Sequence, residues 1–148
     1  MQLTSSAFVH NTQLPTDCTC KGRAVSPPLT ISDAPTGTQS FALIMHDPDA
    51  VGGHDFLHWS VWNIPAGTTT IAQATLPHGA LQGTNDYPTV AYGPACPPAG
   101  TGTHHYIFDL YALDISLALP EGADREALET AIKDHTLATA HLIGIVKS

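Results

Sequence analysis

Basic side chains are scarce: five Lys and Arg stand against 13 Asp and Glu, a formal net charge of −8. Lys21, Arg23, Arg125, Lys133 and Lys147 are scattered along the chain. Neutralising a run of phosphates takes a stripe of cations, so nucleic acid is excluded as a partner, and so is stable docking on an anionic membrane surface. Charge of either sign is thin at 12 %, about half the usual share. No apolar run approaches the roughly 20 residues that cross a bilayer. Met1–Thr12 has neither the basic start nor the apolar core of a secretory leader, and the expected setting is the cytoplasm. Cysteine is sparse too. Cys18, Cys20 and Cys96 leave one thiol over and do not make the disulfide framework of a small secreted domain. Cys18 and Cys20 sit too close for an easy mutual bridge. A Cys20–Cys96 bridge is open, but reduced, buried thiols are the expected state.

What the chain does hold is 12 Gly and 12 Pro, a composition of short strands and many turns, and nine His. Partial protonation of those histidines below about pH 6.5 would erode the negative charge. With 148 residues, 43 % of them hydrophobic, the chain is expected to form one domain, 1–148, that buries roughly 68–70 % of its unfolded surface. No repeat, low-complexity tract or linker divides it.

Apolar and β-favouring segments recur between turn clusters at Ser40–His46, Leu57–Ile64, Thr89–Tyr92, His104–Leu113 and Leu142–Val146, which are the expected strands. Phe41–Met45 is apolar on both faces and belongs at the centre of a sheet. Val25–Ile31 reads as an edge or entry strand, because Pro27 and Pro28 cannot donate to an inner ladder. Pro94–Gly102 is loop. One helix is expected, Asp124–His135, with Leu128, Ala131, Ile132 and His135 on one stripe and Asp124 as N-cap. The count gives a mostly β, α+β architecture with one or two helices near the carboxyl end.

Titratable residues concentrate in His46–Trp59 and in His104–Tyr106, both at strand ends. Alternation puts His104, Tyr106 and Phe108 on one face of their strand, with His105 on the other; it also puts His58 with Ser60 and Trp62, and Trp59 opposite. Imidazoles, a phenol and loop amides converging at an open Gly/Pro backbone suit a small oxyanion, each charge-assisted bond contributing roughly 1.5–3 kcal/mol. Asp47 would orient a histidine so that its other nitrogen faces the ligand. Asp47 could instead cap its own turn, and His58 could be a satisfied core histidine. His10, His78, His135 and His141 have no partner at useful spacing.

Asp47-Pro-Asp-Ala50, then Phe56-Leu-His-Trp59 running into Asn63-Ile-Pro65, then Pro97-Pro98 and Gly102-Thr-His-His-Tyr106 leading to Tyr111-Ala-Leu-Asp114, resembles the phosphatidylethanolamine-binding protein family in its bacterial, Raf kinase inhibitor-like branch. Ser26-Pro-Pro-Leu29 ahead of Ser40-Phe-Ala-Leu43 fits as well, so the likeness runs over about residues 18–145. It implies a large antiparallel sheet packed on a smaller one, with short carboxyl-end helices. It also implies an anion pocket: Asp47 from the Asp-Pro-Asp motif, His58, His104 and Tyr106 from the His-x-Tyr element, and Pro98 at the mouth, with Asp49, Ala50 and Trp59 as supports. The implied ligands are phosphate, phospholipid head groups such as phosphoethanolamine, nucleotides or acetate-like anions. No cofactor, metal or catalytic activity is implied. Three positions depart from the family pattern: Val51 replaces the proline after Asp-Pro-Asp-Ala, His105 replaces an arginine, and Ile145 stands where tyrosine is common.

The leading functional reading is therefore a non-catalytic binder of small anions, with a role in regulating or inhibiting a partner. A metal-dependent hydrolase built on Asp47, His58 and His104 is one alternative, since two His and a carboxylate form a plausible divalent-metal triad. A kinase or protease inhibitor acting through surface loops is another. A nucleophilic hydrolase is weaker, because Ser60 lacks a Gly-x-Ser-x-Gly elbow and Cys96 has no recognisable base.

Overall fold

In chain order the elements are β1 (Gln2–Thr4), β2 (Thr12–Gln13), a 3-10 turn (Thr16–Cys18), β3 (Leu29–Ser32), β4 (Ser40–Asp47), β5 (Phe56–Pro65), β6 (Thr70–Ile71), β7 (Leu81–Gln82), β8 (Thr103–Leu113), α1 (Arg125–Ile132) and β9 (Thr136–Lys147). They are taken from a computed structural model that describes the whole chain, Met1–Ser148. The large sheet has the order β2-β9-β8-β4-β5-β7, and a second sheet has the order β1-β3-β6. Pairing is antiparallel except at the two-residue edge strand β2, which runs parallel to β9. The expected architecture, a mostly β fold with a large sheet on a smaller one and a carboxyl-end helix, is the one observed.

The apolar run Phe41–Met45 needs cover on both faces, and β4 has it, lying between β8 and β5. On one face Phe41, Leu43 and Met45 join Tyr106, Phe108 and Leu110 of β8 against Leu3, Leu29, Ile31 and Ile71 of the small sheet. On the other, Ala42 and Ile44 pack with Leu57 and Trp62 against Leu128 and Ile132 of α1. The helix forms where its apolar stripe was legible, and the Asp124 carboxylate accepts from the Ala127 N–H at 2.9 Å as its N-cap. It ends at Ile132 rather than His135, because the chain turns there to start β9, whose twelve residues far exceed Leu142–Val146.

Two other expectations are corrected. Pro27 and Pro28 precede β3 instead of interrupting it, so Leu29–Ser32 is the central strand of the small sheet and no edge. Thr89–Tyr92 is not a strand. The buried Asn85 side chain takes over the bonding of that stretch: its Oδ1 accepts from the N–H groups of Tyr87 and Thr89 and from the Thr89 hydroxyl, while its Nδ2 donates to the Ala91 carbonyl. A side chain satisfying these backbone groups leaves no ladder to form.

Candidate functional site

β5 carries a local irregularity that decides where the site lies. Met45 pairs with Trp59 and His46 with Leu57, so His58 is the extra residue of a β-bulge. The bulge breaks the alternation expected from the sequence. His58 does not share the face of Trp62, which packs toward the helix. Its ring stands edge-on to Tyr106 with centroids 5.1 Å apart, and Trp59 joins the same core cluster as Tyr106.

At the end of the sheet a pocket of about 210 Å³ opens. Asp47, His58, His104, Tyr106, Pro98 and Ala50 all line it. Val51, 62 % exposed, flanks it, and so do Phe56, Tyr87, Cys96 and Pro97. Val51 was noted from the sequence as a departure from the family pattern, whereas Phe56, Tyr87, Cys96 and Pro97 were not among the expected site residues. Phe56 and Tyr87 are recognisable only once the chain is folded, since they meet edge to face at 5.0 Å across the mouth.

Asp47, buried at the end of β4, does both jobs considered for it. Its Oδ1 accepts from the Asp49 N–H at 2.8 Å, capping the turn, and its Oδ2 accepts from His104 Nδ1–H at 2.7 Å. His104 is 1 % exposed, and its Nε2 meets the Thr101 hydroxyl at 2.8 Å. Both of its nitrogens are thus engaged inside the protein. His58 differs: Nδ1–H donates to the Gly93 carbonyl at 2.9 Å, which leaves Nε2 without a protein partner. Burial lowers its pKa below the ordinary 6.5, only partly opposed by the Gly93 carbonyl and by Asp47. Burial likewise raises the Tyr106 phenol well above its ordinary value, with the Asp47 charge adding to the effect. Near neutral pH the floor therefore holds a neutral imidazole with a free lone pair and a neutral phenol.

Gly93 is required by close approach. Its N–H donates to the His58 carbonyl at 2.8 Å while its own carbonyl receives the His58 ring. A Cβ there would lie 2.5 Å from the Tyr87 ring and 2.9 Å from the His58 oxygen.

Two expected supports stand elsewhere. Asp49 bonds the His105 ring at 2.7 Å and the His105 N–H at 2.9 Å, on an exposed flank. Trp59, although on the sandwich side, lines a separate groove and donates its indole N–H to Gln82 at 2.7 Å. The cysteine expectation is also overturned: Cys20 and Cys96 form a disulfide, and Cys18 alone is free. The 3-10 turn and the Thr19–Ala95 bridge bring residues 18–20 alongside 95–96, a contact between distant segments that spacing does not reveal. His135 and His141, expected to lack partners, bond Asp114 and Asp109 at 2.8 and 2.5 Å. No group of three or more His, Cys, Asp and Glu is placed to hold a metal ion.

A two-sheet sandwich with an outer helix and a small pocket of mixed polar and apolar lining at the end of its central strands defines the class of protein. The chain belongs to the phosphatidylethanolamine-binding protein family, whose pattern it matches over residues 4–147. It is 42 % identical over 152 residues to a UPF0098 protein of Aquifex aeolicus, covering 99 % of this chain and 88 % of that one. It is 40 % identical over 144 residues to a Mycobacterium tuberculosis protein described as a candidate lipoprotein, LppC, covering 97 % and 71 %. Among solved structures, Escherichia coli YbcL superimposes with a TM-score of 0.93 at 34 % identity, over 99 % of this chain and 98 % of that one. None of these names is that of an enzyme. No helix here is long and apolar enough to cross a membrane.

Proposed function

We propose that residues 1–148 act as one binding domain whose pocket captures a small, singly charged anionic group, such as a carboxylate or a phosphate monoanion, together with a proton. The observation that carries this reading is the free Nε2 of His58. The Gly93 carbonyl fixes the proton on Nδ1, so Nε2 accepts in the neutral ring and becomes a charged donor once protonated. An anion arriving with a proton, or drawing one from solvent, is held by the imidazolium and by the Tyr106 hydroxyl.

None of the five Lys and Arg lines the pocket, and the Asp47 carboxylate stands in its floor. A doubly charged group would meet no permanent cation, which favours single charge and disfavours nucleotides. The apolar mouth of Val51, Phe56 and Tyr87 suits a ligand with an apolar portion beyond its charged end, and a phospholipid head group is one member of that class.

Binding rather than chemistry is favoured by the state of the potential nucleophiles. Ser60 Oγ is buried without a hydrogen-bond partner, hence without a base, and the Cys96 sulfur is tied up with Cys20. The metal-hydrolase alternative finds no support, because His104 has no free nitrogen and both Asp47 oxygens are engaged.

The test is calorimetric titration with acetate, whose charge is constant between about pH 6 and pH 8. Affinity is expected to rise toward the acid side as His58 takes up a proton. Tyr106→Phe, which removes one hydroxyl, is expected to weaken binding roughly 2–10-fold. A flat pH profile with unchanged Tyr106→Phe affinity overturns the reading.

A further inference from the structure

The wall of the pocket from Gly93 to Pro98 contains no helix or strand. It holds to the protein at few points. Gly93 is clamped to His58 in both directions, Tyr87 donates its hydroxyl to the Pro94 carbonyl at 2.8 Å, and Ala95 exchanges backbone bonds with Cys18 and Cys20 at 3.2 and 3.0 Å. Beyond Ala95 the rim is Cys96-Pro97-Pro98. The two prolines have no N–H to donate, and the Pro98 carbonyl bonds only forward, to Thr101. Apart from a hydrogen bond between the Cys96 backbone and the Tyr106 phenol, what ties this rim to the body is the covalent link from Cys96 to Cys20, across 76 residues of sequence. Cys96 itself lines the pocket.

Both bridged cysteines are exposed, so a small reductant can reach them. The third cysteine is poorly suited to rearrange the bond from within. Cys18 is fully buried, and burial, reinforced by the Asp17 charge, pushes its thiol up to about 11.

We propose that the Cys20–Cys96 disulfide is the positioning element of this pocket wall, so that ligand capture belongs to the oxidised chain and is lost on thiol–disulfide exchange with a dithiol. One thiolate of the dithiol attacks one sulfur of the bridge and releases the other as a thiolate. The second thiol of the reductant then closes its own disulfide and releases the first sulfur. The protein gains two hydrogens and the reductant loses two. Freed of the bridge, the Cys96–Pro98 rim leaves the pocket, and the Gly93 carbonyl loosens from His58. The sandwich core, built on other residues, remains folded.

The ligand readout rests on the anion-binding reading above, so the experiment carries a second readout that does not. The full chain is compared oxidised, reduced with dithiothreitol, and as Cys20→Ser, which breaks the bridge without altering a lining residue. Cys18→Ser serves as the control. Thiol content is followed by alkylation and mass spectrometry, binding by calorimetry with inorganic phosphate, and the His58 ring by proton–nitrogen spectra that see Nδ1–H on its acceptor. Reduction and Cys20→Ser are expected to weaken phosphate affinity about tenfold or more, since a preorganised wall is lost. They are also expected to erase the His58 Nδ1–H signature, while circular dichroism stays that of the folded sandwich and Cys18→Ser behaves as the parent.

A fully reduced chain with an unchanged His58 spectrum overturns the proposal, as does global unfolding on reduction, which would make the bridge a staple of the whole fold. If Cys20→Ser does not fold, the dithiothreitol-reduced chain decides. If the oxidised chain binds no phosphate, the anion reading fails, and the His58 spectrum alone still decides the role of the disulfide.

Discussion

His46 on β4 and His58 on β5 are near neighbours in one sheet, both largely out of water, and the protein pushes them in opposite directions. Burial works to lower both. At His46 it is outweighed: Nε2 meets Asp109 and Nδ1 meets Asp55, each at 2.8 Å, and the pKa rises above 6.5. The same carboxylates continue outward. Asp109 holds His141 of β9, and Asp55 holds Arg125 of α1 at 3.0 Å, so a chain of charge pairs fastens the helix to the sheet. At His58 the hydrogen-bond partner is a carbonyl, burial prevails, and one nitrogen stays free. The difference lies chiefly in the partner, with the deeper burial of His58 adding to it. A histidine with both nitrogens satisfied by carboxylates is a fastener, whereas one left half-bonded beside a cavity is available to a ligand.

The largest expected effect comes from the most deeply buried pair. Asp47→Ala leaves His104 without its Nδ1 acceptor and Asp49 without its turn cap, and is expected to cost about 3–5 kcal/mol in urea unfolding. A cost below that of Asp109→Ala would break the ranking by burial. Asp109→Ala, at a site still partly wet, is expected to cost about 2–3 kcal/mol. It should also move the His46 titration, followed by carbon–proton spectra, down toward or below 6.5, because burial is then opposed by Asp55 alone. His46 titrating unchanged in that variant would show that its fastening does not depend on Asp109.

The two histidines should also leave opposite marks on stability against pH. His46, raised in the folded protein, contributes stability that is fully present below its unfolded value near 6.5 and is lost as pH rises through the folded value. His58, lowered, contributes stability that is present above about 6.5 and is lost as pH falls through its folded value. His46→Gln should therefore flatten the alkaline side of the melting profile and His58→Gln the acid side. Both variants flattening the same side would refute the comparison.

The strands of the large sheet were legible where one local rule sufficed. Phe41–Met45 could only be central, and His104–Leu113 alternates cleanly over its length. Motif resemblance assigns Asp47, His58, His104 and Tyr106 to one pocket, and all four line it. What stayed hidden was created by contacts between distant residues. The bulge at His58 depends on its register against β4, and the disulfide depends on Cys20 meeting residues 95–96. Asn85 replaces a strand by side-chain bonding that propensity cannot anticipate. The first half of β9 was missed because Ala138 and Ala140 have weak strand preference and Thr136, Leu137 and Thr139 give no clear alternation.

The third histidine–carboxylate geometry predicts the smallest effect. His105 bonds Asp49 at 2.7 Å, as short as the Asp47–His104 bond, but its side chain is 43 % exposed and that of Asp49 40 %. Hydrogen bonding to His105 is the main cause of a lowered Asp49 pKa. The sign gives stability above the ordinary carboxylate range that is lost as pH falls through the folded value. Solvent screening leaves that contribution small. Arginine, which the family resemblance implies at this position, can make the same bond to Asp49 with a permanent charge. His105→Arg is accordingly expected to change stability by no more than about 0.5 kcal/mol and to leave acetate affinity within about twofold, because the side chain points away from the pocket. A larger gain in affinity would mean that a cation on this flank reaches the ligand, and that the pocket draws on charge outside the Asp47, His58 and His104 cluster.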